Sequence, residues 1–93
     1  MAKMFVEPEM VQQLIKRMDR HTSETQRQQK QLKGFIKNMQ QQWNDAHYKA
    51  FTEQFAEFDK MMTKAMQMSE TILIPNLKNV KKYADEYKNM GRR

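Results

Sequence analysis

Cysteine is absent from this 93-residue chain, glycine and proline occur twice each, and tryptophan occurs once. Without cysteine there is no disulfide framework and no thiolate ligand for zinc. No apolar run exceeds three residues, as in Ile72-Leu73-Ile74. That is far short of the ~18 residues of a membrane span or the ~7 of a signal-peptide core. The expectation is a protein without a membrane span, resident in the cytoplasm or exported from it without a cleaved signal peptide. Gly-rich phosphate loops, nucleophile elbows and HExxH patterns are also missing, so neither an enzyme nor a cofactor is expected.

What the chain does have is straight side chains. Ten Met and eleven Gln lose little rotamer freedom in a helix, which points to an all-α fold. Charged residues make up 30% of the chain and hydrophobic ones 39%, a balance that suits one small folded domain spanning 1–93 rather than a disordered segment. No block is repeated, and the stretch from Gln26 to Gln31 reads as solvated helix.

From Pro8 to about Gln42, apolar residues recur at Val11, Leu14, Ile15 and Met18, then at Leu32, Phe35, Ile36, Met39 and Trp43. This is the three-and-four spacing of one helix face, so a first helix is predicted over 8–42. Pro8 suits a first helical turn, and Glu7 and Glu9 sit at the positive end of its dipole. Between Asp19 and Gln31 the inner face is polar. Asn44-Asp45 supplies a turn. A second helix is predicted over 46–74, with a stripe at Tyr48, Phe51, Phe55, Phe58, Met62, Ala65, Ser69 and Ile72. Pro75 should kink or end it, and Leu77, Val80, Tyr83, Ala84 and Tyr87 resume a helical spacing out of phase with what precedes.

Two long helices joined by a short turn lie antiparallel. A turn near Asn44 sets Phe51 opposite Ile36, Phe55 opposite Leu32, and Ile72 opposite Leu14 and Ile15. It also sets Phe58, Met62 and Ala65 across from Gln29, Thr25 and Thr22, where the match fails. Residues beyond about 80 overhang the start of the first helix and have no support within the hairpin. Apolar residues fill about half of Ala46–Ile74, with Met61, Met66, Met68 and Leu73 off the main stripe. One partner helix uses only two positions in seven, so the second helix should also bind another protein, through Phe51, Phe55, Phe58, Met61, Met62, Met66 and Met68. Pairing into a four-helix bundle is the expected outcome.

A helical hairpin of this length with a tryptophan beside its turn resembles the WXG superfamily. Its Trp-X-Gly turn corresponds here to Trp43-Asn44-Asp45, preceded by Gln41 and Gln42 and followed by Ala46, Ala50 and Phe51, with Asp45 at the glycine position. The resemblance implies a small substrate or carrier of a type VII-like secretion system. Such a protein forms a homodimer, or a heterodimer with a related hairpin or larger helical effector, and meets a secretion ATPase. Members carry a tail signal, Tyr followed four residues later by Asp or Glu. The candidate segment here is Tyr83, Asp85, Glu86 and Tyr87, in which Tyr83 is followed at that distance by Tyr87, and Tyr87 by Gly91. Members without the signal look like carriers that pair with a larger effector.

Other features have plainer readings. Trp43 covers the end of the hairpin, and Asp45 caps the second helix. Glu53, Glu57 and Asp59 form a solvated face, and neither His21 nor His47 has a partner at metal-ligand spacing. Residues 1–43 hold 8 basic and 4 acidic groups, 44–74 hold 3 and 5, and 75–93 hold 6 and 2. Lys78, Lys81, Lys82, Lys88, Arg92 and Arg93 thus form a basic, partly flexible helical tail over 76–93, interleaved with Tyr83 and Tyr87. A basic helical nucleic-acid-binding protein is the alternative; a solvated tail whose aromatic residues pack on a partner is the reading preferred.

Overall fold

A computed structural model describes residues 6–91. Helix α1 spans Pro8–Met39, and a second arm runs from Ala46 to Gly91 as α2 (Ala46–Met68), a π-helical turn (Ser69–Leu73) and α3 (Ile74–Gly91). Among the described residues there is no strand. The two arms form an extended all-α hairpin with principal dimensions of 70 × 21 × 17 Å. Arg92 and Arg93 lie outside the described residues.

The start of α1 is set by Pro8 at its first position, with Glu9 in the first turn. The chain leaves the helix through bonds from the Gln42 and Trp43 N–H groups to the Met39 carbonyl, at 2.9 and 2.8 Å. Helix α2 begins at Asp45, whose extended backbone and side-chain carboxylate provide the N-cap. The second arm does not end at Pro75. Of the kink or break expected there, the structure has a widened turn instead, in which the Ile74 N–H donates to the Ser69 carbonyl five residues back. Proline has no N–H for the carbonyl four residues before it, and its ring crowds that carbonyl in a regular helix. A wider turn relieves the crowding.

The inward seam of α1 runs through Val11, Ile15, Met18, Thr22, Thr25, Gln29 and Ile36. That of the second arm runs through Tyr48, Thr52, Phe55, Asp59, Met62, Met66 and Ser69, then Ile74, Leu77, Lys81, Ala84 and Lys88. A five-residue step from Ser69 to Ile74 therefore replaces the usual four. That step accounts for the phase change seen in the sequence: one extra residue is absorbed in the π-turn, and the seam continues facing α1.

Lengthwise pairing is within about one turn of that expected, but the seam of α2 takes Thr52, Asp59 and Met66 in place of Phe51, Phe58 and Ala65, while Tyr48, Phe55, Met62 and Ser69 keep their expected places. Tyr48, not Phe51, reaches Ile36, its hydroxyl donating to the Ile36 carbonyl at 2.7 Å. Asp59 rather than Phe58 meets Gln29, at 3.1 Å, and Ser69 rather than Ala65 meets Thr22, with their hydroxyls 2.7 Å apart. The polar seam of α1 decides this, because a buried polar group facing a phenyl ring loses its hydrogen bond to water without replacement. Polar partners turn inward, and Phe51 and Phe58 turn aside.

The apolar core is small: Val11, Ile15 and Ile74 are buried, and Met18 and Leu77 pack against them. Helix α1 makes most of its contacts with α3 rather than with α2. The expectation that residues beyond about 80 lack support is therefore overturned. Ala84 is buried, and the Lys88 ammonium reaches the Glu7 and Glu9 carboxylates at 3.2 and 3.4 Å. The first helix is met by α3 along its opening turns, which closes the open end of the hairpin.

Candidate protein-binding face

At the turn, one carboxylate oxygen organises three donors. Asp45 Oδ1 accepts from the His47 and Tyr48 N–H groups at 2.9 and 3.1 Å and from Trp43 Nε1 at 2.9 Å. Asp45 has φ −92° and ψ −170°, and no described residue has positive φ. Nothing in this turn requires glycine, and an acceptor side chain gains a helix cap there. The Trp43 ring meets Tyr48 edge-on at 5.1 Å and lies 6.2 Å from Phe51, which continues to Phe55 and Phe58 at 6.2 and 5.7 Å. An aromatic ladder thus climbs from the turn along α2.

The seven residues expected to bind protein divide into two sets. Phe55, Met62 and Met66 are half-buried in the seam. Phe51, Phe58, Met61 and Met68 stand outside it, Met61 being 63% exposed. The outer set lies one residue before the seam positions, and so do Gln54, Ala65, Leu73, Asn76, Val80, Tyr83 and Tyr87, with the exposed Met90 three residues further on. These make one line along the second arm, kept straight across the π-turn by the extra residue. In a chain with 30% charged residues the line carries no charge, and its large apolar members are all exposed.

The two sides of the hairpin differ in chemistry. In an antiparallel pair, residues following the seam on each helix share one side, and residues preceding it share the other. Ser23, Gln26 and Lys30 of α1 and Thr63, Gln67 and Glu70 of the second arm follow the seam. They line an open groove of about 650 Å³, crossed by a Gln26–Glu70 bond at 3.3 Å. That side is polar. On the opposite side α1 presents Met10 and Leu14 at one end and Phe35 at the other, separated by Arg17, His21, Glu24 and Gln28. This apolar side, carried mainly by the second arm, was legible as an excess of apolar residues but not as a single line.

Of the expected tail-signal residues, Tyr83 and Tyr87 stand on the exposed line, Glu86 is exposed, and Asp85 is half-buried beside Lys81 at 2.9 Å. Gln29 and then Lys33, hydrogen-bonding to Asp59, hold its carboxyl below the ordinary carboxylate range. The hydrogen bonds that the Lys88 ammonium donates to the Glu7 and Glu9 carboxylates hold it above its ordinary range. Among the described residues no group of three or more His, Cys, Asp and Glu side chains is placed to hold a metal ion, and no helix is long and apolar enough to cross a membrane.

No curated protein and no solved structure matches the chain. The family model for WXG100, proteins of 100 residues with WXG, matches residues 3–85, which include the first arm, the Trp43-Asn44-Asp45 turn and the second arm as far as Asp85. On that match and this fold, the chain belongs to the WXG100 family, small helical proteins associated with type VII secretion.

Proposed function

We propose that the chain acts by binding: it pairs, with a second copy or with a related helical hairpin, through the side that carries Phe51, Phe58, Met61 and Met68. In a type VII-like system it serves as a small substrate or as the carrier of a larger helical effector. The observation that carries this reading is the uncharged line of exposed apolar side chains along the whole second arm. Water-exposed apolar area of this extent favours association at roughly 25 cal/mol per Å² buried. The carrier role is supported by the tail, where neither Tyr83 nor Tyr87 is followed four residues later by an acidic residue. Export would proceed from the cytoplasm through the secretion ATPase, without a cleaved signal peptide.

The nucleic-acid alternative needs free tail cations. Lys81 is paired with Asp85, and Lys88 bridges to Glu7 and Glu9, which leaves the basic tail less available to phosphates than its composition suggests.

Light scattering at about 10 µM tests the binding reading in the range where pairing of micromolar affinity registers. The native chain should run near twice 11.3 kDa, or form a one-to-one complex with a related hairpin when the two are co-expressed. Phe58→Lys should give a folded monomer that no longer pairs. A native chain that stays monomeric in both settings and melts cooperatively overturns the reading. Export is tested by following the chain into the medium with and without the host's secretion ATPase; release that ignores the ATPase excludes a type VII route.

A further inference from the structure

Helix α3, with Leu73 at the end of the π-turn before it, carries two apolar faces that differ by one residue of phase. The face now turned to α1 holds Ile74, Leu77, Lys81, Ala84 and Lys88; the face turned outward holds Leu73, Val80, Tyr83, Tyr87 and Met90. The outward face is the more apolar. A regular α-helix continuing from Ser69 would place Leu73 next in the seam, followed by Asn76, Val80, Tyr83, Tyr87 and Met90. The π-turn rotates α3 by about 100°, one residue's worth, and turns that face to solvent. For an isolated hairpin the hydrophobic effect favours the other rotation, since it would bury the larger apolar side chains. Something local opposes it. Pro75 lies two residues past the π-turn, and in a regular helix its ring would crowd the Thr71 carbonyl and leave that carbonyl without a donor.

We propose that Pro75 and the π-turn at Ser69–Leu73 form a conformational lock that fixes the rotation of α3, keeping its more apolar face outward and continuous with the Phe51–Met68 line instead of buried against α1. Releasing the lock lets α3 roll by one residue, and the hairpin covers its own binding face. That the outward line docks a partner rests on the proposed function; the rotation of α3 is observable in the hairpin alone.

The absence of cysteine allows single thiols to report the rotation. Tyr83→Cys and Ala84→Cys sit on adjacent residues, one exposed at 67% and one buried at 6%. Each is made in a Phe58→Lys background, which keeps a second copy off the face, and alkylated with a maleimide. With Pro75 in place, the thiol at position 83 should react faster than that at 84 by at least about tenfold, because burial limits reaction to local opening. Pro75→Ala should reverse the order. Deleting Thr71 together with Pro75→Ala should restore it, since the shortened arm reaches the native seam with a regular four-residue step. An unchanged order in Pro75→Ala overturns the lock. So does fast reaction at both positions, which would mean that α3 had detached rather than rolled. Either result leaves the pairing of the native chain to be judged by its own mass.

Discussion

Asp45 does with its side chain what the turn needs without any backbone exception. Its carboxylate caps α2 and holds the Trp43 indole N–H at 2.9 Å, so helix start and tryptophan orientation depend on one residue. Asp45→Ala should cost about 1 kcal/mol and shift Trp43 fluorescence, whereas Asp45→Gly should cost less stability but cause the same fluorescence change. Equal melting temperatures for native protein and Asp45→Ala would show that the cap contributes nothing. Thr22 is 1% exposed and Ser69 4%, with Thr22 Oγ1 also 2.8 Å from the Met18 carbonyl. Thr22→Val keeps the shape but strands the Ser69 hydroxyl, at a cost of roughly 1–3 kcal/mol. Adding Ser69→Ala should recover part of it, as a thermal double-mutant cycle would read; strictly additive losses would mean that the hydroxyls do not act as a pair. The cap was legible in the sequence because capping is local chemistry. The Thr22–Ser69 pair was not, since two hydroxyls 47 positions apart leave no periodic trace.

At the scale of the helices, periodicity identified both arms, their antiparallel pairing and the turn between them. It missed part of the seam of α2, because a pattern of large apolar residues does not reveal that Gln29 and Thr22 require Asp59 and Ser69 opposite. The phase change around Pro75 was visible, but not its absorption by a π-turn, because a kink, a break or a widened turn each relieves the crowding of a proline ring. The role of α3 follows from the same packing. Deleting residues 76–91 removes Leu77 from the core and Ala84 from the seam, so the remainder should lose most of its helical circular dichroism and its cooperative melt. A truncated chain that keeps both would return α3 to the status of an accessory tail. The clamp between Lys88 and the start of α1 has a definite pH window. The Glu9 carboxyl lies below its ordinary 4.5, first through a backbone hydrogen bond of its own and then through Lys88. Its contribution is therefore present above pH 4.5 and lost as pH falls through the lowered value. Lys88 lies above its ordinary 10.5, so its share is present below that pH and lost as pH rises through the raised value. The melting-temperature advantage of native protein over Lys88→Met should be present at neutral pH, vanish near about pH 2, and shrink in high salt, as expected of exposed ion pairs. An advantage unchanged at low pH would assign it to packing of the lysine stem.

Taken whole, the molecule is a rod with a small core and one apolar side, and the excess of apolar residues in the second arm foretold that a hairpin alone would not cover them. Which side they occupy could not be read from the sequence, because it depends on whether Phe51 and Phe58 or Thr52 and Asp59 complete the seam. Phe55→Ala, inside the seam, should lower the melting temperature of the hairpin itself. Phe58→Ala, outside it, should leave a monomeric hairpin as stable as before and weaken only self-association; the reverse pattern in sedimentation and melting would invert the assignment of the two faces. The rod shape also bears on passage through a gate. A compact globule of 93 residues would have a radius of gyration of about 12 Å, against 20.5 Å here, and would present much the same width from every direction. This hairpin presents an end no wider than 21 × 17 Å, so an aperture slightly wider than a pair of helices admits it lengthwise with every hydrogen bond intact, and transport need not be coupled to unfolding.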